Sequence, residues 1–426
     1  MAENTVTPPR TVGAIGTSLF QINGMIGSGI FALPAVLVAA VGSFAPMMIV
    51  LGFALILPLG FVFAWLATRF EKTGGPVLYG KSAFGSFAGF QAGWGRYASG
   101  MVALAANTHV MVSYFAALFP VLEGEKIAAV TVFATIVVMT LINILGMKKS
   151  VNALGLLTVL KLAPLGILVL AAVFGNYNAP AIVLPEFSDA ETVILLTFYA
   201  FIGFEGVTVP AGEMKDPKRD LPRVLIATLA GVTLIYVAVI WAYMAIAIEP
   251  TGNTNALAGA ADIAFGQIGA VMIVLAAGFS IMANSFSGLV IIPRMAYGMA
   301  EQGMLPDWFQ RIHPRFLTPA NSILFYGGAA ALFSLTGGFA ALAAASTLTR
   351  IMTYVISAAA LPVIERREGL ANPMHLMVAL LALASSFWIA SHANAQAWMT
   401  FGTLIAVGTL LYFVAAQATR RAAESG

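Results

Sequence analysis

The chain has 426 residues, 60% hydrophobic and only 9% charged, far from the roughly 25% charged residues of a soluble domain, which makes it a polytopic membrane protein. Its net charge of +3 implies no nucleic-acid partner, because in such a chain the placement of Lys and Arg informs more than their sum. With no cysteine, a disulfide framework, a thiolate metal site and a cysteine nucleophile are all excluded.

The opening MAENTVTPPR reads as a short cytoplasmic tail, residues 1–12. The apolar stretch after it is too long and too broken by glycine for a cleaved signal peptide. Apolar runs of about 20 residues bounded by charge or turn residues then predict twelve membrane helices, at 13–38, 43–68, 86–119, 126–145, 152–175, 189–211, 222–247, 267–299, 320–336, 338–362, 374–391 and 396–418. With an even number of spans both termini lie on one side, and residues 419–426 form a second cytoplasmic tail. Every Lys and Arg except Lys126, Lys161 and Arg350 is assigned to the side of the termini, Arg96 among them, while Glu123, Glu125, Glu186, Glu249 and Asp262 mark the other. By the positive-inside rule the termini are cytoplasmic.

Between spans two and three, GPVLYGKS (Gly75–Ser82) fits the phosphate-cradling pattern G-x-x-x-x-G-K-[ST]. A working P-loop needs a strand before it and a soluble sheet around it, and Pro76 stands where an N–H donor is wanted. The stretch is therefore read as a cytoplasmic hairpin in which glycines and Pro76 make the turn, Tyr79 anchors at the interface and Lys81 marks the inner side. No nucleotide and no cofactor is expected.

Span one contains FQINGMIGSGIFALP and span six FYAFIGFEGVTVPAGE. Aligning Ile26-Gly27 with Ile202-Gly203 brings Pro34 onto Pro210. Glycine costs a helix interior about 1 kcal/mol and proline about 3, so the two spans share one weak point. Five spans separate their starts, which turns the second copy upside down. Gly- and Pro-interrupted segments at matching positions of inverted halves point to the site of a secondary transporter. A break around Gly27-Ser28-Gly29 frees N–H groups at a helix N-terminus that suit a carboxylate, and orphan carbonyls on the opposite lip suit an ammonium. Donors on one side and acceptors on the other match a zwitterion, an α-amino acid or close relative.

GMIGSGIFALP resembles the first-span signature of the amino acid–polyamine–organocation (APC) transporters. TGGPVLYGKSAFG, FYAFIGFEG, GEMKDPKRDLPR and PRMAYGMAEQGMLP look like that family's segments in the same order. The resemblance implies an all-α membrane protein of the LeuT type. Its first repeat would be 13–175 (spans one to five), the inverted second repeat 189–362 (spans six to ten) and the accessory spans 374–418, with spans one and six broken. It further implies that the N–H groups of Gly27, Ser28 and Gly29 hold the substrate carboxylate, and that the carbonyls of Met25, Tyr199 and Ile202 receive its amino group. Phe201 or Phe204 would close over the side chain.

Lys161 lies about 18 Å up its helix from Lys149, near mid-bilayer, where a lysine is costly unless it finds partners. The resemblance implies an internal substitute for sodium, its ammonium bridging spans one and eight, and hence proton coupling without sodium or any other metal. Glu205, with no basic neighbour in sequence, is a candidate gate or tether. Arg350 is expected to pair with a carboxylate or with carbonyls near a cytoplasmic gate, or to snorkel to an interface. Ser285, Ser287 and Asn284 are candidates to line the site or complete the Lys161 cage, and His109 reads as a satisfied core histidine. An enzyme would need a clustered nucleophile or metal set, but the histidines at 109, 313, 375 and 392 are far apart, with no H-E-x-x-H. The expected function is secondary active transport of amino acids, proton-coupled uptake of neutral ones, with exchange or export as the alternative. The expected location is the cell inner (plasma) membrane. Apart from the amino acid, protons and lipid, no partner is expected.

Overall fold

The computed structural model describes residues 13–70, 74–145, 151–178, 180–208, 214, 216–247 and 255–424. Among these the secondary structure is helical, with no strand element. In chain order the helices are α1 Ala14–Met25, α2 Gly29–Val41, α3 Ala45–Arg69, α4 Pro76–Phe84, α5 Ser86–Ala116, α6 Glu125–Ile144, α7 Val151–Phe174 and α8 Phe187–Thr192. They continue with α9 Ile194–Tyr199, α10 Pro217–Ile246, α11 Ala256–Phe265, α12 Gln267–Glu301, α13 Ala320–Phe333, α14 Phe339–Arg367, α15 Pro373–Ser391 and α16 Ala395–Glu424.

Seven helical stretches among the described residues are long and apolar enough to cross a membrane. The first, Gly29–Arg69, holds both α2 and α3, joined by a 3-10 turn at Gly42–Phe44, and shorter apolar helices lie at Thr158–Phe174, Ile194–Thr208, Ala256–Phe265 and Ala320–Phe333. Two helices had no counterpart in the sequence reading. The first is α4, which replaces most of the predicted hairpin: Gly74 and Gly75 turn the chain at φ +147° and +48°, and Pro76 then occupies the first helical position, where its missing N–H costs nothing. The second is α11, which ends at Gly266, φ +64°.

Burial sorts the helices. In α14, 67% of the most apolar window is buried, against 28% in α6 and α15 and 17% in α16, so α14 runs through the middle and α16 lies at the rim with Leu410, Phe413 and Val414 facing outward. The most extensive packing is α5 along α14 and α3 along α10. Such long helices meet closely where glycine lets the backbones approach: a Cβ at Gly95 of α5 would lie 2.9 Å from Thr353 Oγ1 of α14. An aromatic cluster of Phe63, Tyr79, Phe198, Phe204 and Tyr354 fills the space behind α9. Tyr79 is thus a core residue against Phe63 and Phe70, not an interface anchor. Lys81 is exposed and donates to Gln302 Oε1 at 2.9 Å.

Candidate functional site

The first helical axis stops at Met25 and resumes at Gly29. Ile26 is extended (φ −82°, ψ 92°), and its N–H still bonds the Ile22 carbonyl. A second interruption follows α9: after Tyr199 the chain turns through Gly203 at φ +105° before a 3-10 turn at Phe204–Thr208. The two interruptions touch. A Cβ on Gly203 would lie 2.6 Å from the Gly24 carbonyl oxygen, and neither that φ nor that approach admits a larger residue. Pro210, the expected counterpart of Pro34, lies outside the described residues, whereas Pro34 is buried inside α2.

Each lip of the first interruption is satisfied differently. The carbonyls released at the end of α1 are taken by the protein: Asn284 Nδ2 donates to Asn23 O (2.9 Å) and Gly24 O (3.2 Å), Gly27 N to Met25 O (3.1 Å), and Lys161 Nζ to Ile26 O (2.8 Å). At the start of α2 the opposite holds. Ser28 precedes the helix but does not cap it; its hydroxyl donates instead to Asn107 Oδ1 at 2.5 Å. Among the described residues, the N–H groups of Ser28, Gly29 and Ile30 therefore have no acceptor, the orphan-donor arrangement of an uncapped helix start.

These groups border a cavity of about 130 Å³, room for roughly four waters. Met25, Gly27, Ser28, Gly29, Tyr199, Ile202, Ser285, Ser287 and Arg350 are among the residues that line it. A polar chain ties its walls: Asn107 Oδ1 accepts from Ser28 Oγ and Tyr199 OH (2.9 Å), and Asn107 Nδ2 donates to Asn284 Oδ1 (3.2 Å). Of the α12 candidates, Asn284 makes the contacts, while Ser285 Oγ is buried without a partner.

Several expectations need correction. Phe201 and Phe204 are both buried but do not line the cavity; Phe204 packs on Phe63 and Tyr354, and Phe201 lies against Gly52 of α3. The turn at Gly203 carries both rings behind the wall, and the aromatic lining comes from Tyr199 and Tyr326. Lys161, wholly buried in α7, reaches the first interruption as expected but makes no bond to α12 among the described residues. Glu205 does have basic partners. Its Oε1 accepts from Arg350 Nη1 at 2.5 Å, its Oε2 from Tyr354 OH at 3.0 Å and Gly203 N at 3.2 Å, and Arg96 Nη1 stands 3.7 Å from Oε1. Arg96, assigned above to the cytoplasmic side, is a buried residue of α5 on the cavity wall. Glu365 bonds Arg69 and His375. His109 Nε2 lies 2.9 Å from the Ser334 carbonyl, beside a second cavity that Glu123 also lines.

Asn107, Arg96, Gln21 and Tyr326 were not singled out from sequence. A polar residue inside a span is a functional flag by itself, and Asn107 in ALAANTHV carried that flag.

A helical bundle with several membrane-crossing helices and a polar cavity at two touching chain interruptions defines a membrane transporter. The chain matches the family described as amino acid permease over residues 12–416 and belongs to that family, within the APC superfamily. It is similar to the serine/threonine exchanger SteT of Bacillus subtilis, 28% identical with 94% of each chain covered. It is also similar to an uncharacterized transporter of Mycobacterium tuberculosis, 28% identical over 98% of this chain and 93% of the other. The methylthioribose transporter of Bacillus subtilis is 24% identical over 95% and 93%.

Proposed function

We propose that the chain is a secondary active transporter that carries amino acids by alternating access, as a proton-coupled importer of neutral amino acids that needs no sodium. The observation that carries this reading is the uncapped start of α2. The free N–H groups of Ser28, Gly29 and Ile30 border a polar cavity into which the second interruption also opens. Such a cluster of N–H groups suits a carboxylate.

In this reading Ser28 and Gly29 hold the carboxylate, Gly27 joins them only by releasing its N–H from the Met25 carbonyl, and the carbonyls of Met25, Tyr199 and Ile202 take the amino group. Those of Met25 and Tyr199 already accept one bond, and each oxygen keeps a second lone pair. Lys161 holds the first interruption in place of a metal ion and couples protons or the cycle to substrate. Glu205, with Arg350, acts as the gate. Closure by Phe201 or Phe204 requires the α9 turn to rotate those rings away from α3 and Tyr354. Two guanidinium groups in the cavity wall disfavour cationic side chains, which supports the neutral class over the cationic one. The architecture proposed is the LeuT-type 5+5 repeat with twelve spans: 13–175, the inverted 189–362 and the accessory 374–418. Residues 1–12 and 419–426 are cytoplasmic tails at the cell inner (plasma) membrane, and the bundle carries no catalytic step.

Exchange is the second reading, favoured by the likeness to a protein named as a serine/threonine exchanger; export shares the same architecture. The test is a thermal-shift screen of purified protein against the standard amino acids at two pH values, since ligands stabilise by mass action, with methylthioribose alongside. Labelled counterflow in proteoliposomes with and without sodium follows. A flat screen for every amino acid overturns the substrate class, and uptake that collapses without sodium overturns the coupling.

A further inference from the structure

On the α5 wall of the cavity a charge is left over. Arg96 is 6% exposed, and its Nη1 is buried with no hydrogen-bond acceptor among the described residues. The nearest carboxylate oxygen, Glu205 Oε1, is 3.7 Å away, beyond hydrogen-bond length. That oxygen already takes Arg350 Nη1 at 2.5 Å, and the other carboxylate oxygen takes Tyr354 and the Gly203 N–H. Two guanidinium groups thus face one carboxylate, and only that of Arg350 is within hydrogen-bond length of it. A buried guanidinium without its hydrogen bonds is costly, and an oxygen acceptor brought into the cavity removes that cost.

We propose that Arg96 is a specificity-determining residue whose Nη1 donates to an oxygen on the side chain of the transported amino acid. The site then selects side chains bearing a hydroxyl, amide or carboxylate over hydrocarbon side chains of the same shape. This rests on the amino acid reading above, in which the α-carboxylate goes to the free N–H groups at the start of α2, leaving Arg96 for the other end of the substrate. The cavity's small size suits a short polar side chain. A site built around a hydrogen bond discriminates strongly against the analogue that lacks it, because the site's own buried group is then left unpaired.

The test uses the full-length protein and isosteric pairs, threonine against valine and asparagine against leucine, measured by thermal shift and by competition with counterflow. The wild type is expected to prefer the oxygen-bearing member by roughly ten-fold or more. Arg96→Met should bring the ratio to within about two-fold while valine still binds, and Arg96→Lys, which keeps a charged donor, should retain part of the preference. Aspartate beside asparagine identifies the preferred oxygen, carboxylate or amide. Equal binding of threonine and valine by the wild type overturns the proposal, and does so even if Arg96→Met does not fold. A folded Arg96→Met that weakens both members equally also overturns it, since Arg96 would then serve the α-carboxylate or the framework. If the wild type binds no amino acid, the underlying substrate reading falls and this proposal falls with it.

Discussion

Lys161 and Glu205 show how much a buried ionisable side chain depends on its partners. Lys161 Nζ holds the Ile26 carbonyl at the point where α1 has released it. Lys161→Ala leaves that carbonyl unpaired, at a cost of about 1–3 kcal/mol, and is expected to abolish counterflow; full uptake with an unchanged pH profile would remove the coupling role. Glu205 is wholly buried between Arg350 and Arg96. Glu205→Gln leaves two buried cations without their counter-charge, and breaking a buried pair by one partner costs about 3–5 kcal/mol. A marked fall in melting temperature is expected. Adding Arg350→Met to Glu205→Gln should recover part of that loss, and a double-mutant cycle measures the coupling. Strictly additive losses would mean that the 2.5 Å contact carries no coupling energy.

The interruptions are the elements on which the site is built, and each exists because the chain supplies residues that tolerate it. Gly203 combines a positive φ with contact against the Gly24 backbone, whereas a Cβ at Gly24 would meet the Gly203 carbonyl oxygen at an ordinary 3.7 Å. Gly203→Ala is therefore expected to destabilise by at least about 2 kcal/mol, and Gly24→Ala to be close to neutral, both read by thermal melting. The reverse order would contradict the packing described. Interruption accounts for part of the difference between the spans counted by length and composition and those that the hydropathy pattern predicts. A span divided into α1 and α2, or ending in a turn after six-residue α9, offers no single long helix. The matched pair Ile26-Gly27 and Ile202-Gly203 was visible in sequence because glycine at a helix interior has a known local cost. What each side chain faces beyond the break was not, because one φ at Gly203 redirects Phe204.

At the level of the whole molecule, charge placement predicts orientation. The chain has no cysteine, so single replacements report topology without background. Lys81→Cys, near the start of α5, should react with a membrane-impermeant maleimide from the cytoplasmic side, and Glu123→Cys, between α5 and α6, from the opposite side. Labelling of both from one side would refute the proposed orientation. The rim helices are attached by few charges: Glu365 of α14 accepts from Arg69 of α3 at 2.6 Å and contacts His375 of α15 at 2.6 Å, with His375 stacked on Trp65.

Composition and hydropathy period are enough to identify a helical membrane protein, and the resemblance of short motifs such as GMIGSGIFALP is enough to identify its family, because each of these is a local property of the chain. Most of the predicted apolar runs overlap a single helix, α14 and α16 running several residues further, whereas 13–38 is divided between α1 and α2 and 189–211 among α8, α9 and a 3-10 turn. The pairing of Arg350 with Glu205, the move of Arg96 from the cytoplasmic margin to the cavity wall, and the choice of Asn107 and Asn284 to join the lips followed from packing alone. Hydrogen bonds across the bundle join residues as far apart in sequence as Gln91 and Thr409. Which polar groups end up paired, and which is left over, depends on how helices remote in sequence pack around one cavity.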